Sequence, residues 1–117
     1  MNKLIIVAVG ALLMASCTVE NQLYSWYAYD EASYNFLKNN DEKSRQELIE
    51  NYQQIIEKQR GTRKVPPPGI YADYGFLLLQ ANKTVEGKAL LEKEIALYPE
   101  SKVFIERILK MIEDEKK

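Results

Sequence analysis

The sequence contains no histidine and only one cysteine among its 117 residues. Without histidine there is no Ser-His-Asp triad, no Cys-His dyad and no histidine-ligated zinc site, and one cysteine excludes an intrachain disulfide. The formal net charge is only −1, since 16 Lys and Arg nearly balance 17 Asp and Glu. A surface that attracts nucleic acid is therefore not expected.

Catalytic signatures are missing as well. The sequence has no Gly-rich phosphate loop, no metal-ligand spacing and no pair of carboxylates in an apolar setting, which phosphate binding, metal binding and general acid–base chemistry require. We therefore expect no enzyme, no catalytic residue, no metal and no cofactor.

Long apolar runs are limited to one, from Leu4 to Met14, directly after Lys3. Eleven helical residues span roughly 16 Å, about half of the hydrocarbon core of a bilayer. A positive start, a short apolar stretch and small residues after it are typical of a secretory signal peptide. The sequence thus predicts a signal peptide over residues 1–16 rather than a spanning helix.

The end of this segment, Leu13-Met14-Ala15-Ser16-Cys17, resembles the lipobox of bacterial lipoproteins. The resemblance implies cleavage before Cys17 and covalent lipid on it, including fatty acyl chains such as palmitate, and two or more chains anchor a protein stably. Thr18 follows Cys17 where Asp would signal retention in the inner membrane, so the resemblance implies export to the outer membrane, where we expect the anchored domain to face the periplasm. We expect a lipidated tether over residues 17–23 and a helical domain over residues 24–117.

Apolar periodicity predicts helices throughout that domain. A short first helix around residues 32–37, capped by Asp30 or a neighbour, ends at Asn39-Asn40, and Asn40 or Asp41 caps the second. The second helix carries an apolar stripe made of Leu48, Ile49, Tyr52, Ile55 and Ile56. Residues 59–69 contain three consecutive prolines, which predict a stiff, extended connection.

Three more helices are predicted after the prolines. The third begins near Pro68 or Gly69 and is apolar almost all round, so it should be the most buried. Thr84 should cap the fourth helix, Pro99 should stop it, and Ser101 should cap the fifth. No strand pattern competes, so the predicted fold class is all-α.

The stretch from Pro68 to Glu100 resembles one tetratricopeptide hairpin. The matching positions are Tyr71, Tyr74, Gly75, Leu78, Gly87, Leu91 and Pro99. Small residues there let two helices approach, whereas Glu94, where alanine is usual, suggests an edge facing solvent or a partner. The first hairpin, about residues 28–58, matches more weakly, with Ala32 at the small position. We expect helical hairpins of tetratricopeptide-like type with a C-terminal capping helix.

Three segments resemble a family of small bacterial lipoproteins of unknown function, domain of unknown function 4810. They are Tyr24–Asp30, Pro67–Leu78 and Leu97–Ser101. Members are typically encoded beside a curli-secretion-channel-like lipoprotein and a second small lipoprotein. The resemblance implies an accessory role in assembling an envelope or secretion complex, with such lipoproteins as partners, and it supplies no catalytic residues.

Two groups of residues are candidates for binding a partner. The aromatics after the tether fill a gap beside the second helix, or form a patch for a protein or for the membrane interface. The basic cluster from Lys58 to Lys64 is a solvated loop, or meets anionic headgroups, lipopolysaccharide phosphates or an acidic partner. The candidates are Tyr24, Trp26, Tyr27, Tyr29, Arg60, Arg63 and Lys64.

The expected function is that of an outer-membrane-anchored, non-catalytic interaction module in an envelope complex. One alternative is a lipoprotein that binds cell-wall polymer or a small ligand through Asp73 and neighbouring tyrosines. Asp73 is also explained as a first-turn acid favoured by the helix dipole. Another alternative is a structural lipoprotein that forms homo-oligomers through its aromatic segment.

Overall fold

The computed structural model describes residues 22–115, so the predicted signal peptide and Cys17 lie outside the described residues. Within this range the chain forms α-helices and no strand, which confirms the all-α class. The helices are α1 (Tyr29–Asn39), α2 (Glu42–Glu57), α3 (Ile70–Gln80), α4 (Thr84–Leu97) and α5 (Lys102–Glu115), with a 3-10 turn (Pro99–Ser101) before α5.

Helix ends follow the predicted signals in part. The Asp41 side chain accepts from the Ser44 backbone N–H at 2.8 Å, and the Ser44 side chain in turn accepts from the Asp41 N–H, so a capping box starts α2. α4 ends at Leu97, just before Pro99, as predicted. Thr84 is the first helical residue of α4 and not its cap, so that prediction is wrong.

The first core cluster joins the α1–α2 hairpin to α3. Its buried residues are Ala32, Leu48, Tyr52, Ile55, Ile70 and Leu77. α3 contributes to this cluster with one side and, through Ala72 and Leu79, to a second cluster with α4 and α5. Six of the eleven residues of α3 are buried, which confirms the prediction for this helix.

α3 and α4 approach each other closely where Gly75 faces Gly87. A Cβ at Gly75 would lie 2.9 Å from the Gly87 carbonyl oxygen, and one at Gly87 would lie 2.8 Å from the Gly75 carbonyl oxygen. The two glycines therefore allow backbone-to-backbone packing, which is the role that their spacing predicts. The tetratricopeptide type itself stays a prediction.

Glu94 is where the sequence prediction is wrong: the residue is 1% exposed instead of lying at an edge. The physical reason is the N-terminus of α3, where Glu94 Oε1 accepts a hydrogen bond from Gly69 N at 2.5 Å. Carboxylates are favoured at this end of a helix dipole. Burial nevertheless raises the pKa of Glu94, and its Oε2 has no partner among residues 22–115.

The first hairpin contains an equivalent cap. Asn51, 3% exposed, lies on α2, and with its amide oxygen turned towards α1 it accepts from Ala28 N at 3.1 Å and Tyr29 N at 3.2 Å. This contact caps α1 where Asp30 was expected to do so. Asn51 and Glu94 are 43 positions apart (51 to 94), the same offset as Ala32 and Gly75 (32 to 75). In both hairpins the second helix thus caps the first with a buried polar side chain.

The connection between α2 and α3 is folded rather than extended throughout. Lys64 N donates to the Gly61 carbonyl at 3.0 Å, which closes a turn. Pro66 and Pro67 are then buried, and the Tyr98 hydroxyl donates to the Pro66 carbonyl at 2.7 Å. The prolines therefore fasten the connection to α4 instead of spacing the hairpins apart.

Candidate functional site

The chain that leads into α1 is fastened to the loop after α2. Thr62 N donates to the Gln22 carbonyl at 3.0 Å, and Arg63 N donates to the Leu23 carbonyl at 3.2 Å. The last two residues of the predicted tether therefore pack on the domain. We call residues 22–28 the docked segment and residues 58–64 the basic loop.

Ser25 and Gln59 strengthen this attachment. Gln59 Nε2 donates to the Ser25 carbonyl at 3.2 Å, while Gln59 Oε1 accepts from Ser25 N at 2.5 Å and from Gly61 N at 2.9 Å. Arg60 N donates to Ser25 Oγ at 3.1 Å. One glutamine side chain thus satisfies backbone groups of both segments, which holds them in one register.

Gly61 is required by this contact. A Cβ at Gly61 would lie 2.5 Å from Tyr24 Cα and closer still to the Leu23 carbonyl oxygen. Both contacts are with backbone, which cannot rotate away as a side chain can. Sequence reasoning missed Gly61, because a glycine in a loop indicates a turn and does not reveal which distant backbone packs against it.

Backbone strain marks the end of the docked segment. Tyr27 has a φ of 51°, in the left-handed region, which costs a residue with a Cβ roughly 1–2 kcal/mol. Its hydroxyl donates to the Lys58 carbonyl of the basic loop. Strain of this kind persists where the surrounding contacts hold a residue in place, and it is concentrated at functional sites.

A ladder of aromatic rings runs from the docked segment into the core. Ring centroids are 6.5 Å apart for Tyr24 and Trp26, 5.4 Å for Trp26 and Tyr29, and 6.1 Å for Tyr29 and Tyr52. Trp26 stays 42% exposed, whereas Tyr29 packs against the first core cluster. Tyr29 thus fills space beside the second helix, as one interpretation predicted, whereas the role of the exposed Trp26 ring as a binding patch stays a prediction.

The docked segment and the basic loop together bring six of the seven predicted partner-binding residues to adjoining positions, and Tyr29 turns towards the core. We call this surface the aromatic–basic face: Tyr24, Trp26, Tyr27, Arg60, Arg63 and Lys64. The two ion pairs within residues 22–115, Arg45–Glu42 and Lys102–Glu106, lie elsewhere. No described carboxylate therefore neutralises the cations of the face.

Tyr98 lies next to Tyr24 of the aromatic–basic face. Burial, followed by the neighbouring Tyr24 hydroxyl, raises the pKa of Tyr98 to about 12. Tyr98 therefore stays protonated at neutral pH and keeps its hydrogen bond to Pro66. This contact ties the proline connection to the end of α4, next to Tyr24 of the docked segment.

Asp73 borders a separate open groove of about 260 Å³ between α1, α2 and α3. Its carboxylate accepts from the Tyr29 hydroxyl at 3.3 Å, and desolvation raises the pKa of Asp73 despite that hydrogen bond. The other lining residues are Ser33, Phe36, Leu37, Leu48, Tyr52, Phe76, Leu77 and Gln80. The groove thus holds one carboxylate and no second acid for general acid–base work.

A further groove of about 450 Å³ lies between α1 and α2 and was missed at the sequence level. Four glutamates line it: Glu31, Glu47, Glu50 and Glu57. The last three share the polar side of α2, but Glu31 joins them only when α1 packs alongside. Among residues 22–115, no group of side chains has the composition of a metal site, and no helix there has the length and apolarity to span a bilayer.

Comparison with known proteins gives one match. The sequence model of the family described as Domain of unknown function (DUF4810) matches residues 23–108. The chain belongs to the DUF4810 family. The match begins in the docked segment and ends within α5, so the family domain includes the whole aromatic–basic face. No curated protein and no solved structure matches the chain.

Proposed function

We propose that this DUF4810 chain is an outer-membrane-anchored, non-catalytic accessory module that holds a protein partner in an envelope assembly or secretion complex. The aromatic–basic face is the observation that carries the proposal. It combines exposed aromatic rings with unneutralised arginines, the residue types that are enriched at the centres of protein interfaces.

The rigidity of the face also favours binding. Four backbone hydrogen bonds or glutamine contacts to residues 22–25 hold the docked segment before any partner arrives. Ordering a loop on binding costs affinity, so a segment that is already ordered loses less free energy. The strained Tyr27 backbone is consistent with a ring held in place for contact.

The position of the face relative to the predicted anchor indicates where the partner lies. Cys17 and Gln22 are five residues apart, and five residues reach at most about 18 Å when fully extended. If Cys17 carries lipid, the face stays close to the bilayer surface. A second envelope lipoprotein with an acidic docking patch suits this position, and the curli-secretion-channel-like protein implied by the resemblance is one candidate.

Photocrosslinking from the face tests the proposal. A benzoylphenylalanine at Tyr27 of the full-length protein is irradiated in cells, and the adducts are identified by mass spectrometry. Tyr34 is the matched control, because it is an aromatic residue of α1 that is 62% exposed and lies outside the face. We expect an envelope protein to be captured from position 27 and not from position 34.

A second experiment neutralises the three cations of the aromatic–basic face. Arg60→Gln, Arg63→Gln and Lys64→Gln are combined with the probe at position 27, and Lys38→Gln on α1 serves as the control. The triple variant should lose most of the adduct while the control keeps it. Equal capture from positions 27 and 34, or an adduct that is indifferent to the triple change, would contradict a specific protein-binding face.

A further inference from the structure

Within residues 22–115, α1 and α3 each have an antiparallel mate, whereas α5 has none. α1 pairs with α2 and α3 pairs with α4, as helical hairpins, and each mate caps the N-terminus of its first helix. Within residues 22–115 no helix follows α5. Among the described residues, α5 packs on the second core cluster with one side and leaves Phe104 and Met111 of an adjoining side exposed.

Two apolar rows run side by side along α5. The inner row packs on the second core cluster and consists of Ile105, Leu109 and Ile112. The outer row is Phe104, Ile108 and Met111, with a spacing of four and then three residues, which is that of a coiled-coil seam. Phe104 is 61% exposed and Met111 is 62% exposed. The outer row is thus a second seam without a partner in the described chain.

Charges beside the outer row indicate what covers it. Arg107 and Asp114 border the row on the side away from the core, seven residues or about two helical turns apart. In an antiparallel pair of identical helices, matching flanks face each other, so Arg107 of each copy meets Asp114 of the other. A two-fold axis produces this contact twice.

The apolar residues fit the same arrangement. Antiparallel pairing that sets Ile108 opposite the Met111 of a second copy sets Phe104 opposite its Glu115, at the end of the seam. The dry contact therefore covers two central layers and ends in charged residues on both sides. A seam of this length gives a weak dimer, whose formation in a membrane is helped by the high local concentration.

We propose that α5 binds the α5 of a second copy of this chain in an antiparallel, two-fold arrangement, through the outer row formed by Phe104, Ile108 and Met111. The second copy covers the outer row, which no residue of the described chain covers. This surface is separate from the aromatic–basic face, and the proposal does not depend on the partner proposed there.

The test uses the full-length protein carried in cells under two different tags. Benzoylphenylalanine at Phe104 should give a crosslinked species that contains both tags, with the adduct in the α5 peptide of the other copy. The same probe at Tyr34, equally exposed and aromatic, should give none. Crosslinking within one chain, to a different protein, or to nothing would overturn the proposal.

Charge reversal tests self-complementarity. Arg107→Asp alone and Asp114→Arg alone should each lower the yield of the two-tag species about five- to tenfold, because two pairs per dimer become repulsive. The double reversal should restore it, and Glu113→Lys, an exposed position on the side of α5 opposite the outer row, is the control. A double reversal that stays as low as the single changes would contradict the antiparallel register.

Discussion

The substitution Gly87→Ala has two effects on the stability of the fold, and they act in opposite directions. In a helix without neighbours, replacing glycine by alanine stabilises by about 1 kcal/mol. At Gly87 the new Cβ would lie 2.8 Å from the Gly75 carbonyl oxygen and 2.8 Å from Leu79 Cγ. A carbonyl oxygen moves only if the whole of α3 moves, and such overpacking costs about 1–3 kcal/mol, occasionally more.

We expect the packing cost to win. Because the clash is with backbone on one side and with a buried leucine on the other, its cost belongs at or above the top of that range. The net effect is then a loss of at least about 2 kcal/mol, or a fall in Tm of roughly 8–16 °C or more for a domain of this size. Thermal unfolding followed by helical circular dichroism measures it.

Ala89→Gly in the same helix calibrates the propensity effect, since Ala89 is exposed. It should destabilise by about 1 kcal/mol. If Gly87→Ala instead stabilises by a similar amount, nothing presses on position 87 and the close approach of α3 and α4 is wrong. Gly75→Ala, with its Cβ 2.9 Å from the Gly87 carbonyl, should behave as Gly87→Ala does.

Three further changes test other contacts. Burial raises the pKa of Glu94, so the native state binds the carboxyl proton more tightly than the unfolded chain does. Stability therefore falls as the pH rises from the ordinary glutamate pKa to the raised one. The variant Glu94→Gln should flatten this fall in unfolding curves measured at different pH values. Gly61→Ala should release the docked segment, seen as a red shift of emission from Trp26, the only tryptophan. Tyr98→Phe removes the hydrogen bond to Pro66 and should cost about 1 kcal/mol in denaturant unfolding.

Each of these has a result that contradicts it. The account of Glu94 fails if the glutamine variant shows the same dependence of stability on pH as the parent. Unchanged tryptophan emission after the Gly61 substitution would mean that the docked segment needs no close approach there. Tyr34→Phe is the control for Tyr98→Phe. Equal changes in unfolding free energy for the two variants would mean that the hydrogen bond to Pro66 does not stabilise the fold.

Local signals predicted most of the fold. The apolar stripe of α2 and the acid that starts it are readable within a few residues, because helix periodicity and capping are short-range effects. The close contact of Gly75 and Gly87 was predictable too, since a glycine within a helix is costly unless packing requires it.

Long-range contacts account for what the sequence did not predict. Glu94 reads as a surface residue until Gly69 N–H, 25 residues earlier in the chain, is placed beside it. The docked segment pairs with the basic loop through backbone groups. Because every residue carries these groups, such pairing produces no pattern in the amino-acid sequence. The aromatic and basic residues were each predicted as candidates, but their meeting depends on Gly61 and Gln59, which neither pattern includes.

The anchor at Cys17 is the premise on which the proposed function depends, and its chemical state is measured directly by intact-mass spectrometry of the protein from separated membrane and soluble fractions. The account predicts a chain in the outer-membrane fraction that begins at Cys17 and carries the added mass of lipid, and a soluble or unprocessed product for Cys17→Ala. A parent chain that retains Met1, carries no lipid and stays in the soluble fraction would contradict it.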